Sequence, residues 1–179
     1  MPEIINAVGG GDLDQELDLN ISRDQIDGDT VRYDPEHWVG LYLRLTPQSP
    51  AAFVFSSGKY NIAGARSVEH LLASNEELIS SLESIGITIT DPQFEIRNFV
   101  FIDDFGAEMD LEQLAVGLNL ESVEYDPEQF PGLFYRSTDI DGTFMLFRTG
   151  KILLTGINDV EEGQKAFDTM LEKLNTLFT

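Results

Sequence analysis

The sequence has 179 residues, of which 42% are apolar, and it carries 32 acidic against 11 basic residues, a formal net charge of −21. This length and apolar content suffice for a folded core, so the acidity does not indicate disorder. The absence of cysteine excludes disulfides, thiolate metal sites and cysteine nucleophiles, and it favours a reducing cytoplasm. Because neither a basic-then-apolar leader nor a membrane-length apolar run is present, we expect a cytoplasmic protein that contacts no membrane.

The predicted elements of the first half follow one another closely. A strand is predicted near Glu3 to Val8, and a weak helix over the segment NISRDQIDGD. Four strand-like runs come next, near 29–34, 39–46, 51–56 and 59–64, separated by Asp-Pro, Pro-rich and Ser-Ser-Gly-Lys turns. A longer amphipathic helix over Val68 to Ile85 closes this half.

The second half repeats the first at an offset of 92 residues. A strand near Glu95 to Ile102, a clear helix over Asp110 to Leu118 and a closing helix over Val160 to Phe178 are predicted. Without any gap, the two halves share about 24 identities in about 87 aligned pairs, far above chance for unrelated sequences. We therefore predict two repeats, 1–92 and 93–179, that together form one pseudo-twofold domain.

Each repeat has the order strand, helix, four strands, helix, which is an α+β pattern. Two copies predict a mostly antiparallel sheet of about ten strands with four helices on one face, leaving the other face open. Period-two alternation places Phe134 and Gly132 on the same face as Arg136, and it places Leu153 and Thr155 with Lys151. An open apolar face with cations at its edge is typical of either a protein interface or a nucleic-acid surface.

The acidic residues are scattered over the whole chain. A self-repelling surface of this kind suits a cytoplasm with molar salt, where the screening length falls to about 3 Å. This favours a salt-adapted cell such as that of a halophilic archaeon. Binding of cationic partners, or mimicry of nucleic acid, would explain the same composition.

No catalytic motif emerges from the sequence. His37 and His70 are far apart, and the segment SSGK followed by Tyr60 lacks the spacing of a phosphate-binding loop. Carboxylates are so numerous that their proximity in sequence carries no information about acid and base roles. We therefore expect no enzyme, no cofactor and no metal site.

The segments YDPEQFPGLFYR and FRTGKILLTG, with their first-half counterparts YDPEHWVGLYLR and FSSGKYNIAG, carry a resemblance. They are similar to the duplicated core of the TATA-binding protein family in its archaeal form, and the similarity covers nearly the whole chain. The family is itself the known example of minor-groove kinking by inserted side chains. The resemblance implies a saddle with helices on its convex face, which binds an A·T-rich promoter element, kinks it and recruits transcription factor B. It also implies a basal transcription initiation factor, nucleoid-associated in the cytoplasm.

The resemblance also assigns roles to individual positions. It implies aromatic wedges at Trp38, Phe55, Phe130 and Phe147. It implies a base-reading floor of Asn6, Val8, Asn61, Ala63, Asn98, Val100, Leu153 and Thr155. It implies phosphate contacts at Arg44, Lys59, Arg136 and Lys151, and a contact with transcription factor B at Glu128. An asparagine amide can donate to the minor-groove acceptors of A·T pairs, which explains the preference for such pairs.

The first repeat departs from the family pattern at three positions. Trp38 replaces a phenylalanine, and Asn61 and Ala63 stand where the second repeat has Leu153 and Thr155. The chain is accordingly either the general factor or a paralogue with altered preference. The alternative is a degenerate relative that binds transcription factor B or another regulator without binding DNA. We further expect potassium ions at a DNA interface, and a homodimer through the open face when the protein is free.

Overall fold

The computed structural model describes all residues, 1–179. The first repeat contains β1 (Glu3–Asp12), α1 (Leu19–Gln25), β2 (Thr30–Arg32), β3 (Gly40–Arg44), β4 (Ala51–Phe55), β5 (Lys59–Ala65) and α2 (Val68–Ser84). The second contains β6 (Gln93–Asp104), α3 (Leu111–Gly117), β7 (Val123–Glu124), β8 (Gly132–Ser137), β9 (Ile140–Phe147), β10 (Lys151–Ile157) and α4 (Val160–Phe178). The predicted order of strand, helix, four strands and helix is confirmed in both repeats.

The ten strands form an antiparallel sheet in the order β2-β3-β4-β5-β1-β6-β10-β9-β8-β7. The predicted α+β class, with its ten strands and four helices, is therefore confirmed. The strands of both repeats pair in the same register: Gly40 lies opposite Phe55 as Gly132 lies opposite Phe147. None of the helices has the length and hydropathy needed to cross a bilayer.

The chain packs as two compact units. The first, called here the N-terminal unit, comprises Asn6–Arg97, and the second, the C-terminal unit, comprises Met1–Ile5 with Asn98–Thr179. In the N-terminal unit, alternate strand residues pack against α2, and the fully buried side chains there include Leu41, Leu43, Val54, Ile62, Leu71 and Leu82. In the C-terminal unit the equivalent core includes Leu133, Phe144, Leu146, Leu154, Phe167 and Leu174.

The two long strands extend further than predicted. β1 continues through a run of three glycines to Asp12, whereas the strand was predicted only to Val8. The reason is close packing: a Cβ atom on Gly9 would lie 2.2 Å from the ring of Phe94, and one on Gly11 would lie 2.3 Å from that of Tyr60. Glycine at these positions lets two aromatic rings lie against the strand backbone.

The helix α1 is shorter than its predicted segment and ends at Gln25. The Asp18 carboxylate caps it by accepting from the amides of Asn20 and Ile21, as Asp110 caps α3 by accepting from Gln113. The hydrogen bond from the Gln113 amide lowers the pKa of Asp110. These equivalent caps explain why an aspartate recurs at this position in both repeats.

Tyr60 is the largest polar side chain in the core of the N-terminal unit. Its ring stacks on Phe94 with centroids 6.0 Å apart, and its hydroxyl donates to Oδ1 of Asn75. Burial raises the pKa of Tyr60 to about 12 from the ordinary value of 10.0. Since the neutral phenol is the form that fits this core, its contribution to stability is complete below pH 10 and is lost as the pH rises towards 12.

Replacing Tyr60 with phenylalanine is therefore expected to flatten the loss of stability in alkali. At neutral pH the variant loses one hydrogen bond, about 1 kcal/mol of unfolding free energy. Between pH 10 and 12 it should lose less further stability than the native protein, because no buried phenol remains to ionise. Urea unfolding of both proteins at pH 8 and pH 11.5 measures this difference. Equal alkaline losses would show that Tyr60 does not control them.

Candidate nucleic-acid interface

Each unit leaves one face of its strands without helices. In the N-terminal unit the buried positions of β3, β4 and β5 alternate with half-buried or exposed ones. The residues of that second set are Gly40, Tyr42, Arg44, Ala51, Phe53, Phe55, Lys59, Asn61 and Ala63. In the C-terminal unit the same alternation leaves Phe134, Arg136, Met145, Phe147, Lys151, Leu153 and Thr155 on the open face. These faces hold most of the positions to which the resemblance assigns roles.

The aromatic pair of the C-terminal unit is closely packed. Phe130 and Phe147 lie edge to face with centroids 5.9 Å apart, and Phe130 stacks on Phe134 at 4.9 Å. The turn before Phe130 is closed by its backbone amide, which donates to the carbonyl of Asp126. Gly132 lies beneath both rings of the pair, since a Cβ atom there would come within 2.9 Å of each. The three rings therefore form one ridge on the open face.

The aromatic residues of the N-terminal unit are arranged differently. Phe55 lies over Gly40, as Phe147 lies over Gly132. The side chain of Trp38, by contrast, is 65% exposed at the corresponding turn, which is closed by its amide donating to Asp34. Tyr42 and Phe53, which sequence reasoning did not single out, form an edge-to-face pair at 5.2 Å. Because Tyr42 is two residues before Arg44 in β3, period-two alternation would have placed it on the same open face.

The two asparagines of the predicted floor are held in one orientation. Oδ1 of Asn6 accepts from the backbone amide of Gly64 at 2.8 Å, and Oδ1 of Asn98 accepts from that of Gly156 at 2.7 Å. Because a backbone N–H can only donate, the atom facing it must be the oxygen, so the amide orientation is determined. Gly64 and Gly156 have φ angles of 100° and 88°, a left-handed geometry that suits glycine. Each asparagine thereby keeps its NH₂ group as a donor.

The surroundings of the two NH₂ groups differ. Nδ2 of Asn98 also lies 3.1 Å from the hydroxyl oxygen of Thr155, whereas Ala63 at the equivalent position offers no such partner to Asn6. Val8 and Val100, the predicted apolar residues beside the asparagines, are both half-buried. The predicted floor residues thus lie on open strand faces in both units, with a hydroxyl only in the second repeat.

Arg97 is a further member of the N-terminal floor that sequence reasoning missed. A Cβ atom on Gly10 would lie 2.4 Å from Nε of Arg97 and 3.1 Å from Oδ1 of Asn61, so both side chains lie close to Gly10. At the 92-residue offset the corresponding residues are Ile102, Ile5 and Leu153. The floor is therefore polar in the first repeat and apolar in the second. Comparing Arg97 with Ile5 in the aligned repeats would have revealed this.

The predicted phosphate-contacting cations lie at the edges of the open faces. Lys59 and Lys151 are exposed at the first residues of β5 and β10. Arg136 donates to the carboxylate of Glu124 at 3.3 Å, while Arg44 makes no ion pair. Glu128, the predicted partner contact, is exposed in the turn before Phe130, and its amide donates to Asp126. Of these four cations, only Arg136 is paired with a carboxylate of the chain.

Comparison with known proteins gives concordant results. A family model described as "Transcription factor TFIID (or TATA-binding protein, TBP)" matches residues 1–85 and 93–177. "TATA-box-binding protein C" of Halobacterium salinarum is 40% identical over 177 residues, covering 98% of both chains. "TATA-box-binding protein" of Archaeoglobus fulgidus is 37% identical over 177 residues, covering 98% of this chain and 95% of its own.

A solved structure agrees with these matches. The TBP of Methanococcus jannaschii superimposes with a TM-score of 0.84 at 32% identity, covering 98% of both chains. Several of the similar proteins come from halophilic archaea, including Haloarcula marismortui and Haloferax volcanii. With two family-model matches that follow the internal repeat, the chain belongs to the TATA-binding protein family of transcription factors.

Proposed function

We propose that this chain is a basal transcription initiation factor that binds the TATA box in the minor groove, kinks it with paired aromatic wedges and recruits transcription factor B. In this proposal the two repeats, 1–92 and 93–179, act as one pseudo-twofold domain on DNA in the nucleoid. Trp38 and Phe55 form one pair of wedges, and Phe130 and Phe147 form the other. The cations Arg44, Lys59, Arg136 and Lys151 contact phosphates, and Glu128 contacts transcription factor B.

The observation that carries the proposal is the fixed orientation of Asn6 and Asn98. With each Oδ1 bound to a glycine amide, the asparagines present hydrogen-bond donors. The minor groove of A·T pairs displays only acceptors, adenine N3 and thymine O2, whereas guanine adds an amino donor that would face another donor. Two asparagine donors on the open strand faces therefore suit A·T-rich DNA.

Selection of bound sites from random duplex DNA in molar potassium chloride tests this function. We expect enrichment of A·T-rich, octamer-like sites. The half of the site under the second repeat should be the more restricted one, because its floor is apolar at Leu153 and Ile102. No enrichment, together with retained binding to transcription factor B, would support the alternative of a partner-binding relative that does not bind DNA.

The matched variant Asn98→Asp removes the NH₂ donor of this side chain and keeps its acceptor. The carboxylate can still accept from the Gly156 amide, so the fold should be retained, but it cannot donate to adenine or thymine. We expect its affinity for a TATA duplex to fall by about tenfold or more, since one mismatched base contact costs roughly 1–3 kcal/mol. Fluorescence anisotropy with circular dichroism as the folding control measures this. Unchanged affinity would contradict the assigned role of Asn98.

Two further parts of the proposal concern the free protein and its ions. The open faces expose apolar side chains, which supports a homodimer formed through them in the absence of DNA. Potassium ions would lie between carboxylates and phosphates in the complex, where they would reduce the repulsion between the two anions. Sedimentation with and without a TATA duplex tests the first of these, since DNA should dissociate such a dimer.

A further inference from the structure

The open face of the N-terminal unit contains a cavity with a volume of about 830 Å³. It lies over β2, β3 and β4. The side chains important here are those of Arg23, Arg32, Arg44, Trp38, Tyr42 and Phe53. Three of the eleven basic residues of a strongly acidic chain thus converge on one cavity with aromatic walls.

Two of these arginines have no acidic partner. Arg23 pairs with Asp24 at 3.0 Å, but neither Arg32 nor Arg44 forms an ion pair. Two carboxylates, those of Asp29 and Asp34, also line the cavity. Asp34 is bound to His37 at 2.7 Å, and Asp29 accepts from the hydroxyl of Thr30. The cavity therefore keeps two unpaired guanidinium groups.

The side chain of Arg44 provides a second, independent observation. Its Nε atom is buried and has no hydrogen-bond partner. Buried donors in folded proteins are nearly always satisfied, and an unsatisfied one costs roughly 1–3 kcal/mol or more when it is charged. The Arg44 guanidinium is therefore not held by an acceptor of this chain at Nε, and the side chain lines the cavity without an ion-pair partner.

In the second repeat the arginine equivalent to Arg44 is neutralised within the chain. Glu124, which lies opposite Phe134 in the β7–β8 pair, accepts from Arg136 at 3.3 Å. At the offset of 92 its counterpart is Arg32, which lies opposite Tyr42 in the β2–β3 pair. The acidic partner of the second repeat is thus replaced by a second cation in the first, which reverses the local charge.

We propose that Arg32 and Arg44 together form an additional phosphate site, which the second repeat lacks, and that a DNA backbone phosphate occupies it. This inference rests on the proposed DNA-binding function and deepens it. Guanidinium groups bind phosphate oxygens through short, charge-assisted hydrogen bonds, and two of them can hold one phosphate between them. The end of the DNA site under the first repeat is then held by more positive charge than the other end, so the two repeats are not interchangeable on DNA.

The variant Arg32→Glu tests the inference, with Glu124→Arg as its reciprocal. Arg32→Glu should lower the affinity for a TATA duplex by about tenfold, because it removes one charge-assisted contact and adds a carboxylate that neutralises Arg44. Its melting temperature should stay the same or rise, because it recreates the ion pair seen between Glu124 and Arg136. Glu124→Arg should raise the affinity. A structural role for Arg32 predicts the opposite change in melting temperature.

The outcomes separate this inference from the proposed function. If the native protein binds the duplex and Arg32→Glu binds it equally well, the phosphate site is overturned while the function stands. If the native protein does not bind the duplex, the protein is titrated with inorganic pyrophosphate instead. The NMR signal of the Arg44 Nε–H group then reports binding. A shift in the native protein that is absent from Arg32→Glu supports an anion site, and no shift overturns it.

Discussion

Replacing both Phe130 and Phe147 with alanine is expected to abolish bending of a TATA duplex and to lower the affinity for it by at least about thirtyfold. The estimate follows from stacking energies, since an aromatic side chain stacked on a base contributes roughly 1–3 kcal/mol and two are removed here. Both rings are only half-buried and lie on the open face, where they pack mainly on each other and on Phe134. The core of the C-terminal unit should therefore stay folded.

Fluorescence energy transfer between dyes at the two ends of the duplex measures the bend, and anisotropy measures the affinity. Phe105→Ala provides a matched control, because Phe105 packs on Phe178 of α4, away from the open face, with centroids 5.9 Å apart. That variant should bend DNA like the native protein. A native protein that binds transcription factor B but never bends DNA would show that the aromatic ridge is not a wedge and would support the partner-binding alternative.

The affinity for a TATA duplex is expected to hold or rise as potassium chloride is increased from low to molar concentration. A conventional protein with four cationic phosphate contacts would instead show a log–log slope of about −3.6, since each contact releases counterions. Such a loss would prevent binding at molar salt. The strongly acidic composition of this chain suggests the opposite behaviour, uptake of cations on binding.

The strand register indicates where cations would be taken up. Asp12 lies directly opposite Lys59 in the β1–β5 pair, and Asp104 lies directly opposite Lys151 in the β6–β10 pair. Each lysine proposed to contact a phosphate therefore has a carboxylate beside it on the neighbouring strand. A phosphate that approaches the lysine also approaches the carboxylate, and a potassium ion between the two anions removes their repulsion.

The double variant Asp12→Asn with Asp104→Asn tests this location. It should show a slope that is more negative by about one to two, because two cation uptake sites are removed while the lysines are retained. Circular dichroism at each salt concentration separates this effect from salt-dependent folding, which both proteins share. Equal slopes in the two proteins would place the cation uptake elsewhere, and a steep conventional slope in the native protein would reject it.

The sequence predicted the fold well because the chain repeats itself. Because the repeats align at an offset of 92 residues without a gap, an element with a weak sequence pattern is supported by its counterpart in the other repeat. The helix α1, whose pattern is weak, was therefore expected from the clear helical pattern of α3. The repeat also predicts equal register in both halves, as found for Gly40 and Gly132. The run Gly9 to Gly11 was misjudged because its place in β1 depends on the rings of Phe94 and Tyr60. Phe94 is distant in sequence, and no local pattern shows such packing.

The candidate site was less completely predictable. Positions with a recognisable motif, such as Phe130 and Arg136, were identified, and the structure places them on an open face. Arg97 and Arg32 were missed because neither belongs to a motif. Their importance comes from what they replace, Ile5 and Glu124 in the aligned repeats, and from the cavity or floor in which they lie.

The sequence by itself determined the duplication, the α+β order of elements, the alternation of the strands and the family. These properties are local or periodic, so they can be recognised from the linear order of the residues. Only the tertiary structure showed that the side-chain oxygen of Asn98 accepts from the Gly156 amide, that Glu124 neutralises Arg136, and that Arg44 has no acidic partner beside Arg32. Such facts depend on side chains brought together across strands, where a few ångströms decide whether a charge is paired inside the chain or remains available to DNA.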